Sequence, residues 1–252
     1  TMPVGNGELA SGLFGEGRMA EPEEIIGFIK AKYFRGNELA GKKILVTAGP
    51  TYEAIDPVRF IGNHSSGKMG YALAEVFYEH GADVTLISGP TSTVPAYPGI
   101  NLHRIVSAAE MLNLVKEKSK AADIIIMAAA VADYTPETVF ENKLKKQAGE
   151  LTLNLKKTQD ILLDVGINKE PSQFIVGFAL ETENEIDNAT QKLLNKNADC
   201  IILNSLRDPH AGFGTDTNTI TIIDKQNQQR FPNKSKKEVA VDIYNYIMLK
   251  TL

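Results

Sequence analysis

The sequence predicts an α/β fold built on a mostly parallel sheet. From residue 41 onward, short β-branched runs alternate with helix-periodic segments of about a dozen residues, the pattern of strand–helix–strand units. Residues 122–134 are apolar on both faces, as expected for a strand at the centre of a parallel sheet. Residues 150–155 alternate apolar and polar side chains, which indicates an antiparallel, half-exposed strand. The predicted fold is a Rossmann-like sheet with helices on both faces and a small antiparallel extension.

The individual elements follow from periodicity, caps and turns. Strands are predicted, in chain order, at residues 43–47, 82–90, 101–107, 122–134, 150–155, 174–182, 198–205 and 217–224, the last as one arm of a hairpin. Helices are predicted at residues 22–31, 69–80, 108–120, 184–197 and 234–250. Gly81 is placed to end the second helix, and Ser107 is the predicted N-cap of the third.

The first 40 residues differ in character from the rest of the chain. They are rich in glycine, show hardly any strand pattern and contain one short predicted helix, so they cannot form a core of their own. We therefore predict two parts. Residues 1–40 are the tail of a preceding domain with a linker helix, and residues 41–252 form one domain.

Composition excludes several classes of function. A net charge of −4 provides no basic surface for nucleic acid or for an acidic membrane. The longest apolar run, residues 124–132, is too short to cross a bilayer. The single cysteine excludes a disulfide framework and fits a reducing compartment, so we expect a cytoplasmic protein. The four histidines are scattered, which argues against a zinc site.

Residues 62–68 have the spacing of a phosphate-binding P-loop: glycine, four residues, glycine and lysine. The next residue, Met69, stands where such a loop carries a serine or threonine for magnesium. The nearest strand ends about 14 residues earlier, whereas a true P-loop joins its strand directly to its helix. We therefore interpret the match in spacing as coincidental.

The physical parts of an anion site are nevertheless present. A polar segment, residues 63–67, precedes a helix whose first amides are unpaired and whose dipole favours an anion, and a lysine follows it. The alternative is that Ser66 simply caps the helix. We favour phosphate binding. The predicted phosphate-binding residues are Gly49, Ser65, Ser66, Gly67 and Lys68.

A dinucleotide site of the usual kind is disfavoured. The turn at residues 48–51 lacks the glycine-rich fingerprint, and the strand at residues 82–90 ends without an acidic residue for a ribose. A nicotinamide-dependent oxidoreductase therefore remains only an alternative. A non-catalytic nucleotide-binding domain is a second alternative.

Two further segments are candidates for ligand binding. In residues 127–134, small side chains would let a planar ring or a ribose lie against the backbone, with Asp133 at the mouth of the sheet. Packing between helix and sheet would explain the alanines equally well. The lysine cluster at residues 141–147 would either close over a triphosphate or form a solvated surface. Lys192 and Lys196 share one helix face.

Four of these segments occur together in one family. Residues 56–70, 127–134, 143–147 and 177–183, in this order and spacing, resemble the phosphopantothenoylcysteine synthetases, and the resemblance covers about residues 41–248. It implies a two-step ligase that uses CTP and Mg²⁺. The carboxylate of 4′-phosphopantothenate first forms an acyl-cytidylate with release of pyrophosphate, and the amine of L-cysteine then displaces CMP.

The resemblance also implies roles for individual residues. Asn63 handles the acyl-cytidylate, and Lys143 is needed to form it. Arg59 is suited to the phosphate of the substrate because its guanidinium binds in a bidentate manner. The residues matched to nucleotide binding are Met127, Ala128, Ala129, Asp133, Lys143, Thr158, Gln159, Asp160, Ile161, Phe178, Lys192 and Lys196. The ligands of magnesium are not identified.

Two departures from the family pattern matter. Residues 158–161 read Thr-Gln-Asp-Ile where the family typically has Asn-Pro-Asp-Ile, and the missing proline leaves this loop without a fixed φ angle. The N-terminal segment resembles the end of a flavin-dependent decarboxylase domain, yet Ser11 stands where that domain usually has a catalytic cysteine. We therefore expect no decarboxylase activity and no FMN. The family also implies a native fusion to that domain, and a homodimer in which one subunit helps to cover the other's site.

Overall fold

The computed structural model describes residues 4–9, 11–145, 151–205 and 215–251. Its strands are β1 Gly5–Glu8, β2 Phe14–Arg18, β3 Lys43–Ala48, β4 Tyr52–Ala54, β5 Phe60–Gly62, β6 Asp83–Ser88, β7 Asn101–Arg104, β8 Ile124–Met127, β9 Tyr134–Pro136, β10 Leu155–Lys157, β11 Phe174–Glu181, β12 Cys200–Ser205, β13 Thr217–Asp224 and β14 Gln228–Ser235. Its helices are α1 Pro22–Ile29, α2 Lys68–Glu79, α3 Ala108–Lys118, α4 Ile161–Ile167, α5 Glu185–Asn195 and α6 Lys236–Thr251. Among the described residues, no helix is both long and apolar enough to cross a membrane.

Eight strands form the central sheet in the order β14-β13-β12-β11-β8-β3-β6-β7. The strands from β12 to β7 are parallel to one another, whereas β13 runs antiparallel to β12 and β14 runs antiparallel to β13. In chain order, β6 and β7 are added beside β3 toward one edge of the sheet, and β8, β11 and β12 are then added toward the other edge. This confirms the predicted Rossmann-like sheet and puts its topological switch point at the carboxyl ends of β3 and β8.

Two apolar layers cover the sheet. The layer with α2 and α6 receives Val46 and Ile126, and the layer with α3, α4 and α5 receives Leu45 and Ile125. Each of these four residues is at most 1% exposed. Neighbouring residues of β3 and β8 thus enter opposite layers, which is why β8 is apolar throughout and β3 is apolar from Ile44 to Val46. The predicted helices on both faces are confirmed.

The predicted caps are also observed. The Oγ of Ser107 accepts a hydrogen bond from the amide of Glu110 at 3.2 Å, as an N-cap does. The chain leaves α2 through Gly81, whose φ of 98° is in the region that favours glycine. Local sequence signals therefore mark the start of α3 and the end of α2.

Four details differ from the sequence prediction. The strand predicted at residues 150–155 is displaced toward the carboxyl terminus: the observed strand is β10, Leu155–Lys157, which pairs with the short strand β9. The strand predicted at residues 122–134 ends at Met127, so the alanines after it belong to a loop. The glycine-rich N-terminus contains a hairpin, β1–β2. Helix α4 and strands β4 and β5 were not predicted, and the hairpin expected for residues 217–224 is confirmed with β14, whose residues were not predicted, as its second arm. Residues 146–150, which include the end of the lysine cluster, lie outside the described residues.

Candidate active site

A cleft of about 730 Å³ opens at the carboxyl ends of the parallel strands, beside the switch point. Its volume is in the range of pockets that bind small molecules and cofactors. Most residues predicted to bind ligand line this cleft: Asn63, Ser65, Ser66, Gly67, Lys68, Met127, Ala128, Ala129, Asp133, Thr158, Gln159, Asp160, Ile161, Phe178 and Lys192. Five segments that are distant in sequence therefore meet in one cavity.

The loop at the start of α2 lies directly against the end of β3. A Cβ built on Gly67 would lie 3.2 Å from the amide nitrogen of Gly49, and one on Gly70 would lie 2.6 Å from the Cβ of Ala48. The intervening residues fold into the β4–β5 hairpin, whose Tyr52 and Phe60 rings stack 3.8 Å apart. The hairpin interrupts the sequence but leaves the strand-to-helix geometry of a phosphate loop in place.

Helix α2 begins without a side-chain cap. Its N-cap is Gly67, at φ 77°, and no side chain accepts a hydrogen bond there. Ser65 Oγ instead accepts a hydrogen bond from the Gly67 amide at 3.3 Å. The alternative that Ser66 caps the helix is therefore wrong. The first turn of α2 also lacks an acidic residue, so its amides and dipole can act on a bound anion.

Asn63 is held in a fixed orientation beside this loop. Its Nδ2 donates to the backbone oxygens of Ala130, at 2.9 Å, and Val131, at 3.3 Å. The segment after β8 is itself tied to β3, since the Ala130 amide donates to Gly49 O at 2.9 Å. Asn63 thus connects the phosphate loop to the alanine segment across the switch point.

The opposite wall of the cleft is the loop from Thr158 to Ile161. Thr158 Oγ1 donates to Ala132 O at 2.6 Å, and Asp160 caps α4 by accepting from the amide of Leu163 at 2.8 Å. Although burial raises the pKa of Asp160, hydrogen bonds from Lys196 and this amide hold it below its ordinary value. These contacts order the loop without the proline that the family typically has there.

Lys192 of α5 and Lys196, which caps the carboxyl end of that helix, both approach this loop. Lys192 lines the cleft, and its burial lowers the pKa of its ammonium group. Lys196 lies behind the wall, where its Nζ is 2.7 Å from Asp160 Oδ2. The structure thus places Lys192 in the cleft and gives Lys196 a supporting contact.

Arg59, Lys143 and Gly49 are the other predicted residues that do not line the cleft. Arg59 donates its Nε to Asp56 Oδ2 at 3.0 Å, and one terminal nitrogen to Leu144 O at 3.0 Å. Asp56 Oδ2 also accepts from the Leu144 amide at 3.1 Å. We call this set, Asp56, Arg59 and Leu144, the loop anchor. It fastens the exposed Lys143 loop to the turn of the β4–β5 hairpin.

The Asp56→Asn variant is expected to lower the melting temperature by several degrees at neutral pH, because an amide would direct N–H groups at the donors of the loop anchor. The hydrogen bond from Arg59 holds the pKa of Asp56 well below its ordinary value of 3.8, although burial opposes this. Because its pKa is lower in the folded state than in the unfolded state, ionised Asp56 stabilises the fold above about pH 4. This stabilisation is lost as the pH falls further and the carboxylate becomes protonated.

Thermal unfolding followed by circular dichroism over a pH series checks this prediction. The difference between wild type and Asp56→Asn should be constant from about pH 5 to pH 7 and should shrink below about pH 4. Glu137→Gln is the matched control, because that carboxylate is exposed and makes no side-chain hydrogen bond or ion pair among the described contacts. A difference that did not change with pH would contradict the assignment.

The sequence prediction missed several lining residues, including Lys157, Asn204, Asn218 and Lys236. The last three reach the cleft from β12, β13 and α6, so the antiparallel edge of the sheet contributes to the site. Their only sequence signal is position, since Asn204 lies in the carboxyl half of a buried strand and Lys236 lies in the first turn of the last predicted helix.

The acidic residues of the cleft determine how it could hold magnesium. Within the described ranges, no three acidic, histidine or cysteine side chains come close enough to hold a metal. Asp133 is a carboxylate in the cleft lining. Magnesium commonly binds proteins through one or two carboxylates and the phosphates of its substrate, so this set fits a metal that arrives with a nucleotide.

Comparisons with known proteins show the family of the chain. Residues 39–250 match the family described as the DNA/pantothenate metabolism flavoprotein C-terminal domain. The coenzyme A biosynthesis bifunctional protein CoaBC of Bacillus subtilis (strain 168) is 46% identical over 244 residues, which are 96% of this chain and 60% of that protein. A cysteine/cysteine sulfinic acid decarboxylase from an unknown prokaryotic organism is 52% identical over 249 residues, 97% of this chain and 69% of that protein.

Solved structures give the same result. The C-terminal domain of a CoaBC protein is 41% identical with a TM-score of 0.72, over 85% of this chain and 99% of that one. A complex of a Cab2 mutant with phosphopantothenate-cysteine shares the fold, with 17% identity and a TM-score of 0.69 over 91% of this chain and 93% of that one. This chain belongs to the DNA/pantothenate metabolism flavoprotein C-terminal domain family, which confirms the resemblance to phosphopantothenoylcysteine synthetases seen in its sequence.

Proposed function

We propose that the chain is a ligase that joins 4′-phosphopantothenate to L-cysteine at the expense of CTP. In the first half-reaction, a carboxylate oxygen attacks the α-phosphorus, the bond to the bridging oxygen breaks, and pyrophosphate leaves with the electron pair. In the second, the amine attacks the acyl carbon, loses a proton and expels CMP. The CoaBC relatives, named for coenzyme A biosynthesis, support this proposal.

One observation carries the proposal. The uncapped start of α2, Lys68, Asn63 and Asp133 face a single cleft at the switch point of the sheet. A triphosphate needs an anion site, and an acyl-phosphate intermediate needs neutral hydrogen-bonding groups beside it. A phosphate-binding scaffold alone would not require Asn63 to be fixed between the phosphate loop and the alanine segment.

The remaining lining residues suit a nucleoside. The backbone of Ala128 and Ala129 offers a flat surface, Phe178 offers an aromatic side chain, and Lys192 places a cation in the same wall. Bound magnesium would screen the charge of the phosphates, with Asp133 as its protein carboxylate. The same proposal includes CTP rather than ATP as the nucleotide, a homodimer, a cytoplasmic location, and a native fusion to a decarboxylase domain of which residues 1–40 are the tail and linker.

Pyrophosphate release is expected to require CTP, Mg²⁺ and 4′-phosphopantothenate together, and CMP and the amide are expected only when L-cysteine is added. An initial-rate assay with each component omitted in turn, and with ATP, GTP and UTP in place of CTP, checks this. Hydrolysis of CTP without the acid would indicate a stray triphosphatase. Tight CTP binding without any product would indicate a non-catalytic nucleotide-binding domain.

The same mixtures test for redox chemistry and for decarboxylation. A change in nicotinamide absorbance during turnover would indicate an oxidoreductase. Release of CO₂ from cysteine would indicate that this chain has the decarboxylase activity for which its 52% identical relative is named. We expect neither, since Ser11 lies exposed in the turn of the β1–β2 hairpin and stands where the decarboxylase family has cysteine.

A further inference from the structure

One end of the cleft is formed by Lys68, Asn204, Asn218 and Lys236, and we call it the basic end. Lys236 is the first residue of α6 and is only 8% exposed. Its Nζ donates to the backbone oxygen of Thr215. A buried ammonium group that lines a cavity is uncommon in proteins unless a partner of opposite charge is present.

The positive charge of the basic end is not balanced by buried carboxylates. Among the described residues, Lys236 makes no ion pair, and Lys68 pairs with Asp216 at 2.5 Å. The side chain of Asp216 is 85% exposed, so it lies on the solvent side of the pair. Burial lowers the pKa of Lys236 and the nearby charge of Lys68 lowers it further, while the charge of Asp216 opposes both only in part. A bound anion would relieve both effects.

A second observation at the basic end also points to ligand binding there. Asn218 is 2% exposed and donates its Nδ2 to Asn204 Oδ1 at 3.0 Å. Its Oδ1 has no hydrogen-bond partner in the described part of the chain. Buried polar atoms are rarely left unsatisfied, and such exceptions occur where a ligand or an ordered water supplies the partner. A hydrated polyphosphate would bring both an anion and donors.

We propose that Lys236, together with Lys68, binds the β- and γ-phosphates of the nucleotide and thereby stabilises the departing pyrophosphate. This inference rests on the proposed function. In the first half-reaction the electron pair of the broken bond goes to the pyrophosphate oxygen, so negative charge increases there. Lys236 thus acts on the polyphosphate, whereas Lys192 and residues 158–161 line the wall assigned to the nucleoside.

Binding of three probes by the full chain tests the assignment. Isothermal titration with CTP, CMP and inorganic pyrophosphate, each with magnesium chloride, is performed on wild type, Lys236→Gln and Lys236→Arg. Loss of one charged hydrogen-bonding group should weaken CTP and pyrophosphate by about 10- to 100-fold in Lys236→Gln. CMP affinity should change by less than about twofold, since CMP lacks both outer phosphates. Lys236→Arg should recover most of the loss.

Lys237→Gln is the matched control, because the neighbouring Lys237 is 53% exposed and pairs with Glu79. It should bind all three probes as wild type does. Equal weakening of CMP and CTP in Lys236→Gln would assign Lys236 a general structural role, and unchanged pyrophosphate binding would exclude it from the polyphosphate site. Either result overturns the inference. Normal pyrophosphate binding by wild type without any ligation would instead contradict the proposed function and leave the anion site standing.

Discussion

The Asn63→Asp variant is expected to form the acyl-cytidylate and then to convert it to the amide about 100-fold more slowly than wild type. In the structure, the Asn63 nitrogen donates to two backbone oxygens, those of Ala130 and Val131. A carboxylate cannot donate to either oxygen. It would therefore turn away from them and bring a negative charge into the cleft.

The two half-reactions differ in where charge develops. In the first, negative charge increases on the departing pyrophosphate, which we place at the basic end. In the second, it increases on the acyl oxygen when the amine of cysteine attacks, and we place this atom beside Asn63. A negative charge at residue 63 therefore opposes the second step more strongly than the first. The intermediate should accumulate.

Single-turnover reactions, quenched with acid and analysed by mass spectrometry, measure the acyl-cytidylate directly. Asn101→Asp is the matched control, since it adds the same charge at the amino end of β7, far from the carboxyl ends that form the cleft. Asn63→Ala separates the loss of the amide from the gain of charge, and it should accumulate less intermediate. Normal turnover by Asn63→Asp would show that the proposed role of Asn63 is wrong.

The Lys143→Gln variant is expected to lose the first half-reaction, with pyrophosphate release reduced by about 100-fold while the fold is retained. Lys143 is exposed and does not line the cleft, so its substitution removes no packing from the core. Its loop is fastened at Leu144 by Asp56 and Arg59. The lysine would therefore act either after its loop closes over the nucleotide or across the interface of a homodimer.

Lys145→Gln is the matched control, because Lys145 is exposed in the same loop. It should release pyrophosphate at the wild-type rate, and both variants should melt at the wild-type temperature. Mixing Lys143→Gln with Asn63→Asp distinguishes the two routes. Activity would return in mixed dimers only if the lysine of one subunit serves the site of the other. Unchanged pyrophosphate release by Lys143→Gln would remove this residue from the mechanism.

The fold was predictable wherever local patterns and tertiary packing agree. The centres of β3 and β8 are continuously apolar because both strands are buried on both faces. Ser107 and Gly81 mark helix ends through their own chemistry. The N-terminal hairpin was missed because its glycines hide the alternation of side chains. Strand β14 was missed because it is polar and mostly exposed at the edge of the sheet.

The site was predictable only in part, for a similar reason. The phosphate loop is identifiable by its polar residues and lysine at the start of a predicted helix, and Asp133 by its position near the carboxyl end of a predicted strand. Lys236 and Asn218 are not, because only the antiparallel return of β13 and the packing of α6 beside α2 bring them to the cleft. The sequence also could not show that Arg59 is engaged by the buried Asp56. That contact depends on the turn of a hairpin whose strands are three residues long.

The start of α2 is proposed to bind the triphosphate that activates an unreactive acid, and every step of the mechanism depends on this. A crystal structure of the full chain with CTP and magnesium tests it most directly. We expect phosphate oxygens within hydrogen-bonding distance of the backbone amides of residues 65–68, with the outer phosphates beside Lys68 and Lys236. An empty loop at residues 65–68, with the nucleotide bound elsewhere on the protein, would contradict the proposal.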